Sequence, residues 1–357
     1  MALSRPLRVL IVDDSAIVRK MLADSMRDER DLEVVGTAAD PFIARDLILQ
    51  HEPDVVTLDI EMPRMDGLTF LRKLMEHHPL PVIIVSSLTK SGSTASIEAL
   101  RAGAIDVIPK PGGPYSVGQV AERLKERIRG IRSGQFKFVK TAPAVAAVAP
   151  APGPIVAARK LNGLLVIGAS TGGTQATEAL LTRMPADCPP ILIVQHMPAN
   201  FTRAYADRLN TVCPMRVAEA QDGDRPERGV ALIAPGDYHM VLETFGIQMR
   251  VSVRQGPQVH HQRPAVDVLF HSVARLRGVP VVACLLTGMG ADGADGMVAL
   301  RTAGAETIAE DEHSCVVFGM PREAIKRGGA CHVVTLLNMP NAIGDCFERL
   351  QRKGRVA

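Results

Sequence analysis

Ser170 lies in Gly168-Ala169-Ser170-Thr171-Gly172-Gly173, directly after the apolar run Leu164–Ile167. The pattern fits G-x-S-x-G, a tight strand-to-helix turn that exposes a serine hydroxyl for attack on an acyl carbon. Gly-Ser turns also hold phosphate at helix N-termini, so the motif alone leaves a nucleophile and a phosphate loop both open. His196 ends the next apolar run, in Ile193–Pro198. A lone histidine at a strand end reads more readily as structural; placed at the same sheet edge as a serine elbow, it becomes a candidate general base. Asp292, in the turn Thr287–Gly293 just past Val281–Leu286, can orient and stabilise an imidazolium, and Asp295 ranks second for that role. Backbone N–H groups of the same turn, including that of Met289, are candidates for an oxyanion hole. The turn carries a competitor: Gly288-x-Gly290-x-x-Gly293 matches the dinucleotide fingerprint, with Glu310 or Asp311 about twenty residues on as the ribose ligand. That reading leaves Ser170 and His196 unexplained.

A second constellation lies in the first half. Asp13 and Asp14 follow the run Leu7–Val12, Asp59 follows Val55–Leu58, Ser86 follows Val82–Val85, and Lys110 follows Val107–Ile108. If these runs are parallel strands, all five residues reach one edge of the sheet. Converging carboxylates repel unless a cation lies between them, and oxygen-only ligands favour a hard ion such as Mg²⁺. A carboxylate beside Mg²⁺, a hydroxyl and a lysine suits phosphoryl transfer. Asp59 is the expected nucleophile that forms an acyl phosphate, with Asp13, Asp14 and Asp59 holding the metal. Ser86 and Lys110 are placed to bond and pair with the new phosphate.

These residues need two alternating αβ scaffolds. In the first half, strands at Leu7–Val12, Val34–Ala38, Val55–Leu58, Val82–Val85 and Val107–Ile108 alternate with helical spacing at Ile17–Met26, Ile43–Gln50, Leu68–Met75, Thr94–Arg101 and Val117–Ile128. The rhythm predicts a flavodoxin-like, doubly wound parallel sheet whose ligands bind beyond the strands' carboxyl ends. In the second half, Leu164–Gly168, Ile191–Val194, Val230–Ala234, Val281–Leu286 and Glu306–Ala309 read as buried strands of a second doubly wound α/β domain with a mostly parallel sheet. Tyr238–Glu243 and Ile247–Val253, flanking Thr-Phe-Gly, predict an antiparallel hairpin. Thr141–Ala158 is almost all Ala, Pro and Val, a semi-rigid linker. The charged stretch Lys125–Lys140 reads as a last helix with a solvated face that then frays.

Composition narrows the function classes. The 357 residues carry 46% apolar side chains but only 3% aromatics and no Trp, so the cores are aliphatic. The net charge of +3 is well mixed, which argues against a nucleic-acid binder. Six cysteines, all in the second half and without a C-x-x-C pair, read as small buried hydrophobes. No apolar run approaches a membrane span and no leader pattern is present, so a cytoplasmic, monomeric protein without membrane insertion is expected.

VDDS (Val12–Ser15), LDIEMPRMDG (Leu58–Gly67), VSS (Val85–Ser87) and PKP (Pro109–Pro111) resemble a two-component receiver domain over residues 5–130. Val107 stands where many receivers carry an aromatic switch residue, so transmission through Ser86 and the fourth helix is expected. After the 131–160 linker, GASTGG, VQHMP, IAPGDYHM, RPAVDVLF, LTGMGADGADGM and CVVFGMPREAI resemble, in order, the catalytic domain of CheB-type chemotaxis methylesterases over residues 161–350. The resemblance implies hydrolysis of glutamate γ-methyl esters and deamidation of selected glutamines on chemoreceptors. Ser170 would be nucleophile, His196 base and Asp292 its partner, with Thr171 shaping the site and no cofactor for the hydrolysis. A CheA-type histidine kinase would phosphorylate Asp59, relieving inhibition by the receiver. Where the family often has Asn and His before Arg-Pro, this chain has His260, His261 and Gln262, and Ala265 replaces a common serine; these positions are expected along the substrate approach. They leave room for a second class of function, a phosphorylation-controlled binding module with weak catalysis.

Overall fold

The computed structural model describes residues 5–111, 116–132, 161–246 and 248–356. The chain divides into two compact units, Met1–Ala146 and Ala147–Ala357. The expected linker segment Thr141–Ala158 lies outside the described residues, as does the end of the charged stretch beyond residue 132.

The first unit runs β1 (Leu7–Val12), α1 (Ala16–Met26), β2 (Leu32–Ala38), α2 (Pro41–His51), β3 (Val55–Leu58), α3 (Gly67–His77), β4 (Val82–Ser86), α4 (Lys90–Arg101), β5 (Asp106–Pro109) and α5 (Val117–Arg132). Its five strands are parallel in the order β2-β1-β3-β4-β5. Strands β3 and β4 are buried throughout, as covering helices on both faces require, whereas edge strand β2 mixes buried and exposed positions. Side chains in the turns start the helices. Ser15 accepts from Val18 N, Asp40 from Phe42 N and Ile43 N, Asp66 from Thr69 N, and Thr89 from Gly92 N. The Thr89 cap explains why α4 begins at Lys90 rather than at Thr94. The strand order reverses between β1 and β3, the crevice in which such sheets bind ligands.

The second unit continues with β6 (Leu164–Ala169), α6 (Gly173–Leu181), β7 (Ile191–Gln195), α7 (Phe201–Val212), β8 (Arg216–Glu219), β9 (Val230–Ile233), β10 (His239–Phe245), β11 (Gln248–Arg254), α8 (Val266–Val273), β12 (Val281–Leu285), α9 (Ala294–Thr302), β13 (Glu306–Glu310), α10 (Met320–Lys326), β14 (His332–Val334) and α11 (Met339–Val356). Seven parallel strands lie in the order β14-β13-β12-β6-β7-β9-β8. β10 and β11 pair antiparallel as expected, forming a sheet of their own. Met240, Leu242 and Val251 of this hairpin join Leu269 and Phe270 of α8 in the core. The edge strands β8 and β14 were not legible in the sequence. Each is only partly buried, one is four residues long and the other three, and neither carries an apolar run.

This sheet changes direction at β6: the chain first adds β7, then the outer strand β8 and β9 between them, then returns to add β12, β13 and β14 on the other side. The crevice therefore opens between β6 and β12, beyond the ends that carry Ser170 and the Thr287–Gly293 turn. Among the described residues no helix is long and apolar enough to cross a membrane.

Candidate active site

The receiver-like unit gathers its acidic residues as expected. One carboxylate oxygen from each of Asp13, Asp14 and Asp59 lies within 4.8 Å of the others. Asp13 and Asp59 are buried and Asp14 is exposed, giving the group an open side. Lys110 Nζ donates to Asp59 Oδ2 at 2.7 Å and pairs with Asp13 Oδ2 at 3.1 Å. The Glu61 backbone N–H donates to the other Asp59 oxygen, at 3.1 Å. Burial pushes the Asp59 carboxyl up to about 6 despite the Lys110 ammonium, and raises Asp13 as well. The buried Asp13 Oδ2 accepts no hydrogen bond of normal geometry. Crowded, partly orphaned carboxylates with an open side fit a hard divalent cation such as Mg²⁺. Gly67 lets α3 start against this site, since a Cβ there would lie 2.0 Å from the Asp59 carbonyl oxygen. Ser86 is fully buried at the end of β4, its hydroxyl 3.5 Å from Gly92 O, and Val107 is buried in β5.

In the second unit the sheet ladder itself assembles the site. Leu286 N donates to Gly168 O, Ser170 N to Thr287 O at 3.0 Å, and His196 N to Ala169 O at 3.0 Å. The residues just past β6, β7 and β12 are thus fixed side by side. The elbow after Ser170 turns through Gly172, whose φ of 77° places it in the left-handed region as the residue capping α6. Gly288 lies so close that a Cβ there would be 2.8 Å from Ser170 Cβ.

His196 Nε2 and Asp292 Oδ2 are 2.7 Å apart, both side chains almost wholly buried. Asp292 also accepts Val266 N at 2.7 Å and Asp267 N at 2.9 Å. Burial works to raise its pKa, but the His196 bond and the two backbone donors outweigh it and hold the carboxyl below its usual value. The carboxylate is therefore ionised and fixes Nε2–H as the donor, leaving Nδ1 as the lone pair. Nδ1 is buried and has no hydrogen-bond partner among the described residues. No hydrogen bond among the described residues engages the Met289 N–H.

The alternatives weighed on the sequence resolve on these contacts. Asp295 sits in the first turn of α9 and pairs with Arg327 at 2.5 Å, half-exposed, which removes it from the imidazole. The ribose ligand required by a dinucleotide site is missing: Glu310 is fully buried on Thr287 N at 2.8 Å, and Asp311 accepts both the N–H and the hydroxyl of Ser314. Ala265, expected along the substrate approach, is fully buried, with its N–H donating to His239 Nδ1 at 3.3 Å. His260 instead meets a residue the sequence reading missed, its Nε2–H donating to Asp267 Oδ2 at 3.0 Å. Asp267 Oδ1 in turn accepts Gly296 N at 2.7 Å, so this carboxylate ties α8 to the start of α9 beside Asp292. Gln195 was missed too; its Nε2 donates to Ser170 O at 2.8 Å. Its position beside His196 in the same strand-end motif was the available signal. The six cysteines are free thiols, four of them buried.

Comparison with known proteins agrees with the two halves. The profile of the response regulator receiver domain matches residues 9–122, and that of CheB methylesterase matches residues 165–343. A protein-glutamate methylesterase/protein-glutamine glutaminase 2 of Syntrophus aciditrophicus is 52% identical over 341 residues, covering 94% of this chain and 98% of that one. The Escherichia coli K12 protein-glutamate methylesterase/protein-glutamine glutaminase is 50% identical over 332 residues, 92% of this chain and 94% of that one. The solved catalytic domain of Thermotoga maritima CheB methylesterase is 36% identical, with a TM-score of 0.50, covering 52% of this chain and 98% of that chain. With relatives of this identity along nearly its full length, the chain belongs to the CheB methylesterase family and is an enzyme that carries a receiver domain ahead of its catalytic domain.

Proposed function

We propose that the chain hydrolyses glutamate γ-methyl esters on chemoreceptors, and deamidates selected receptor glutamines, through Ser170, His196 and Asp292. The observation that carries this is the buried His196–Asp292 pair at 2.7 Å, with Nδ1 bare and the His196 backbone bonded to Ala169 O, one residue before the elbow serine. His196 Nδ1 takes the Ser170 proton as Oγ attacks the ester carbonyl. Asp292, held ionised by its three donors, stabilises the imidazolium without taking the proton. The Met289 N–H is the candidate donor to the developing oxyanion, and the Gly288 approach leaves it room. The C–O bond to the methoxy group breaks, Nδ1–H passes its proton to that oxygen, and methanol leaves. Water then attacks the acyl carbon, giving a proton to Nδ1; the C–Oγ bond breaks, Nδ1–H returns that proton to Oγ, and glutamate is released with Ser170 restored. With a glutamine substrate the leaving group is ammonia.

The receiver domain supplies the control. Asp59 takes a phosphoryl group from a histidine kinase of the CheA type, and the phosphorylated receiver releases the esterase from inhibition. Lys110 already bonds Asp59 and is placed to pair with the phosphate, and the buried Ser86 hydroxyl is within the same sheet edge. Asp13, Asp14 and Asp59 would hold Mg²⁺, which supplies charge neutralisation for the moving phosphoryl group. Residues 131–160 serve as the connection between the domains. The protein works as a cytoplasmic monomer.

The test is methanol release from methylated receptor membranes. Wild-type chain is expected to release methanol, faster after treatment with a small phosphodonor; Ser170→Ala should release none, and Asp59→Ala should not respond to the donor. Receptor capture by wild type without turnover, unchanged by Ser170→Ala, would establish a binding module instead.

A further inference from the structure

Glu310 ends β13, carries no exposed surface, and has no part in the chemistry above. A carboxyl group in that position must be held by something or hold something. Its Oε2 accepts the Thr287 N–H at 2.8 Å. Thr287 is the second residue past the β12 end, and each of its other polar atoms is committed to the nucleophile turn or its neighbour. Its carbonyl accepts Ser170 N at 3.0 Å, and its hydroxyl donates to Thr171 O at 3.0 Å. The same hydroxyl accepts Val317 N at 2.9 Å, and Val317 O accepts Gly288 N at 3.0 Å, one residue before Met289. One carboxylate therefore anchors the residue through which both the nucleophile and the glycine-rich turn are registered.

We propose that Glu310 is a positioning residue of the hydrolase, setting Ser170 against the Met289 turn by holding Thr287. The inference rests on Ser170 being the nucleophile. It requires an acceptor at position 310 and is served best by a charged one, because a charge-assisted bond is shorter and stiffer than a neutral one. The groups facing the carboxyl are the Thr287 N–H from the turn after β12 and, from the turn after β13, Asp311, Ser314 and Cys315; none is a cation. Burial accordingly pushes Glu310 up to about 7, so its charge changes within the working range of an enzyme. Ionised, it holds Thr287 firmly; protonated, it is the weaker acceptor and the turn loosens.

The experiment uses the full chain treated with a phosphodonor, with methanol release followed from about pH 6 to about pH 8.5, and compares wild type, Ser170→Ala, Glu310→Leu and Glu310→Gln. An inactive wild type or an active Ser170→Ala removes the reading beneath the proposal, and the proposal with it. With those controls as expected, Glu310→Leu should lose about tenfold to a hundredfold in kcat with KM changed by less than about twofold, the mark of misplaced reacting groups. Glu310→Gln, which keeps an acceptor but cannot ionise, should restore kcat to within about threefold of wild type at about pH 8, and its kcat relative to wild type should rise as the pH falls through about 7. The base's own protonation acts equally on both enzymes and cancels in the comparison. Unchanged kcat in a folded Glu310→Leu overturns the proposal. If that variant does not fold, superimposable pH profiles of wild type and Glu310→Gln overturn it by themselves.

Discussion

Replacing Asp292 with Asn perturbs the hydrolase site while hardly changing its volume. The carboxylate accepts three bonds, from His196 Nε2 at 2.7 Å, Val266 N at 2.7 Å and Asp267 N at 2.9 Å, the first two at one oxygen and the third at the other. Asn offers one carbonyl oxygen and one amino group. With the carbonyl toward His196 and Val266, the amino group meets the Asp267 N–H donor to donor. With the amide reversed, it donates to Nε2 and forces the imidazole proton onto Nδ1, which abolishes the base. Either way the imidazolium loses its counter-charge. The change in tautomer and charge should lower kcat by about 10⁴, which is about 5 kcal/mol of transition-state stabilisation at 1.36 kcal/mol per decade. The orphaned backbone N–H should also cost about 1–3 kcal/mol of stability. Methanol release under single-turnover conditions measures the first effect and urea unfolding the second. A folded Asp292→Asn enzyme within about tenfold of wild type in kcat would refute the reasoning, because the carboxylate would then have no part in orienting His196.

Other expectations follow from neighbouring contacts. Asp295→Asn should leave kcat within about twofold, since the half-exposed Asp295 carboxylate pairs with Arg327 at the surface; steady-state kinetics decides this. The Asp59 carboxyl titrates near 6 in the fold, above its unfolded value, so the folded state binds the extra proton and stability is lost as pH rises through that value. Asp59→Asn should therefore raise the melting temperature of the receiver at about pH 8 and leave it unchanged at about pH 4, and added Mg²⁺ should stabilise wild type more than the variant, all readable by calorimetry. Gly67→Ala puts a methyl group 2.0 Å from the Asp59 carbonyl oxygen, so it should destabilise the receiver by about 1–3 kcal/mol and slow phosphorylation, as radiolabelled phosphodonor uptake would show. Phe270→Ala, removing a fully buried ring between hairpin and α8, should cost about 3–5 kcal/mol in denaturant unfolding of the catalytic unit.

How much could be read from the sequence depended on how each residue is placed. Ser170, His196, Asp13, Asp59 and Lys110 stand directly after buried strands, and a parallel sheet carries every such residue to one edge; periodicity alone therefore brought them together. Asp292 was harder, because two carboxylates share its turn and only contacts separate the one on His196 from the one on Arg327. Asp267 was illegible, and the role of Gln195 hard to read despite its place beside His196, for a different reason. Each acts through a backbone donor or acceptor on another element, Gly296 N for one and Ser170 O for the other, and residue type and periodicity do not encode that partner. Glu310 shows a motif misleading through correct spacing: it stands where a ribose ligand would, yet its carboxyl turns inward to Thr287. Ala265 was assigned to the substrate approach by position, and the fold buries it as the residue that leads into α8. Edge strands β8 and β14 had too little burial to leave a pattern.

The central claim is that phosphorylation at Asp59 controls reaction at Ser170. The most direct measurement is the rate at which a fluorophosphonate probe phosphonylates the full chain, with loss of fluoride, the adduct being located by mass spectrometry. A single adduct at Ser170 is expected, formed about tenfold or more faster after phosphodonor treatment of wild type, with no acceleration in Asp59→Ala. An adduct at another residue, or an equal rate with and without the phosphodonor, would contradict it.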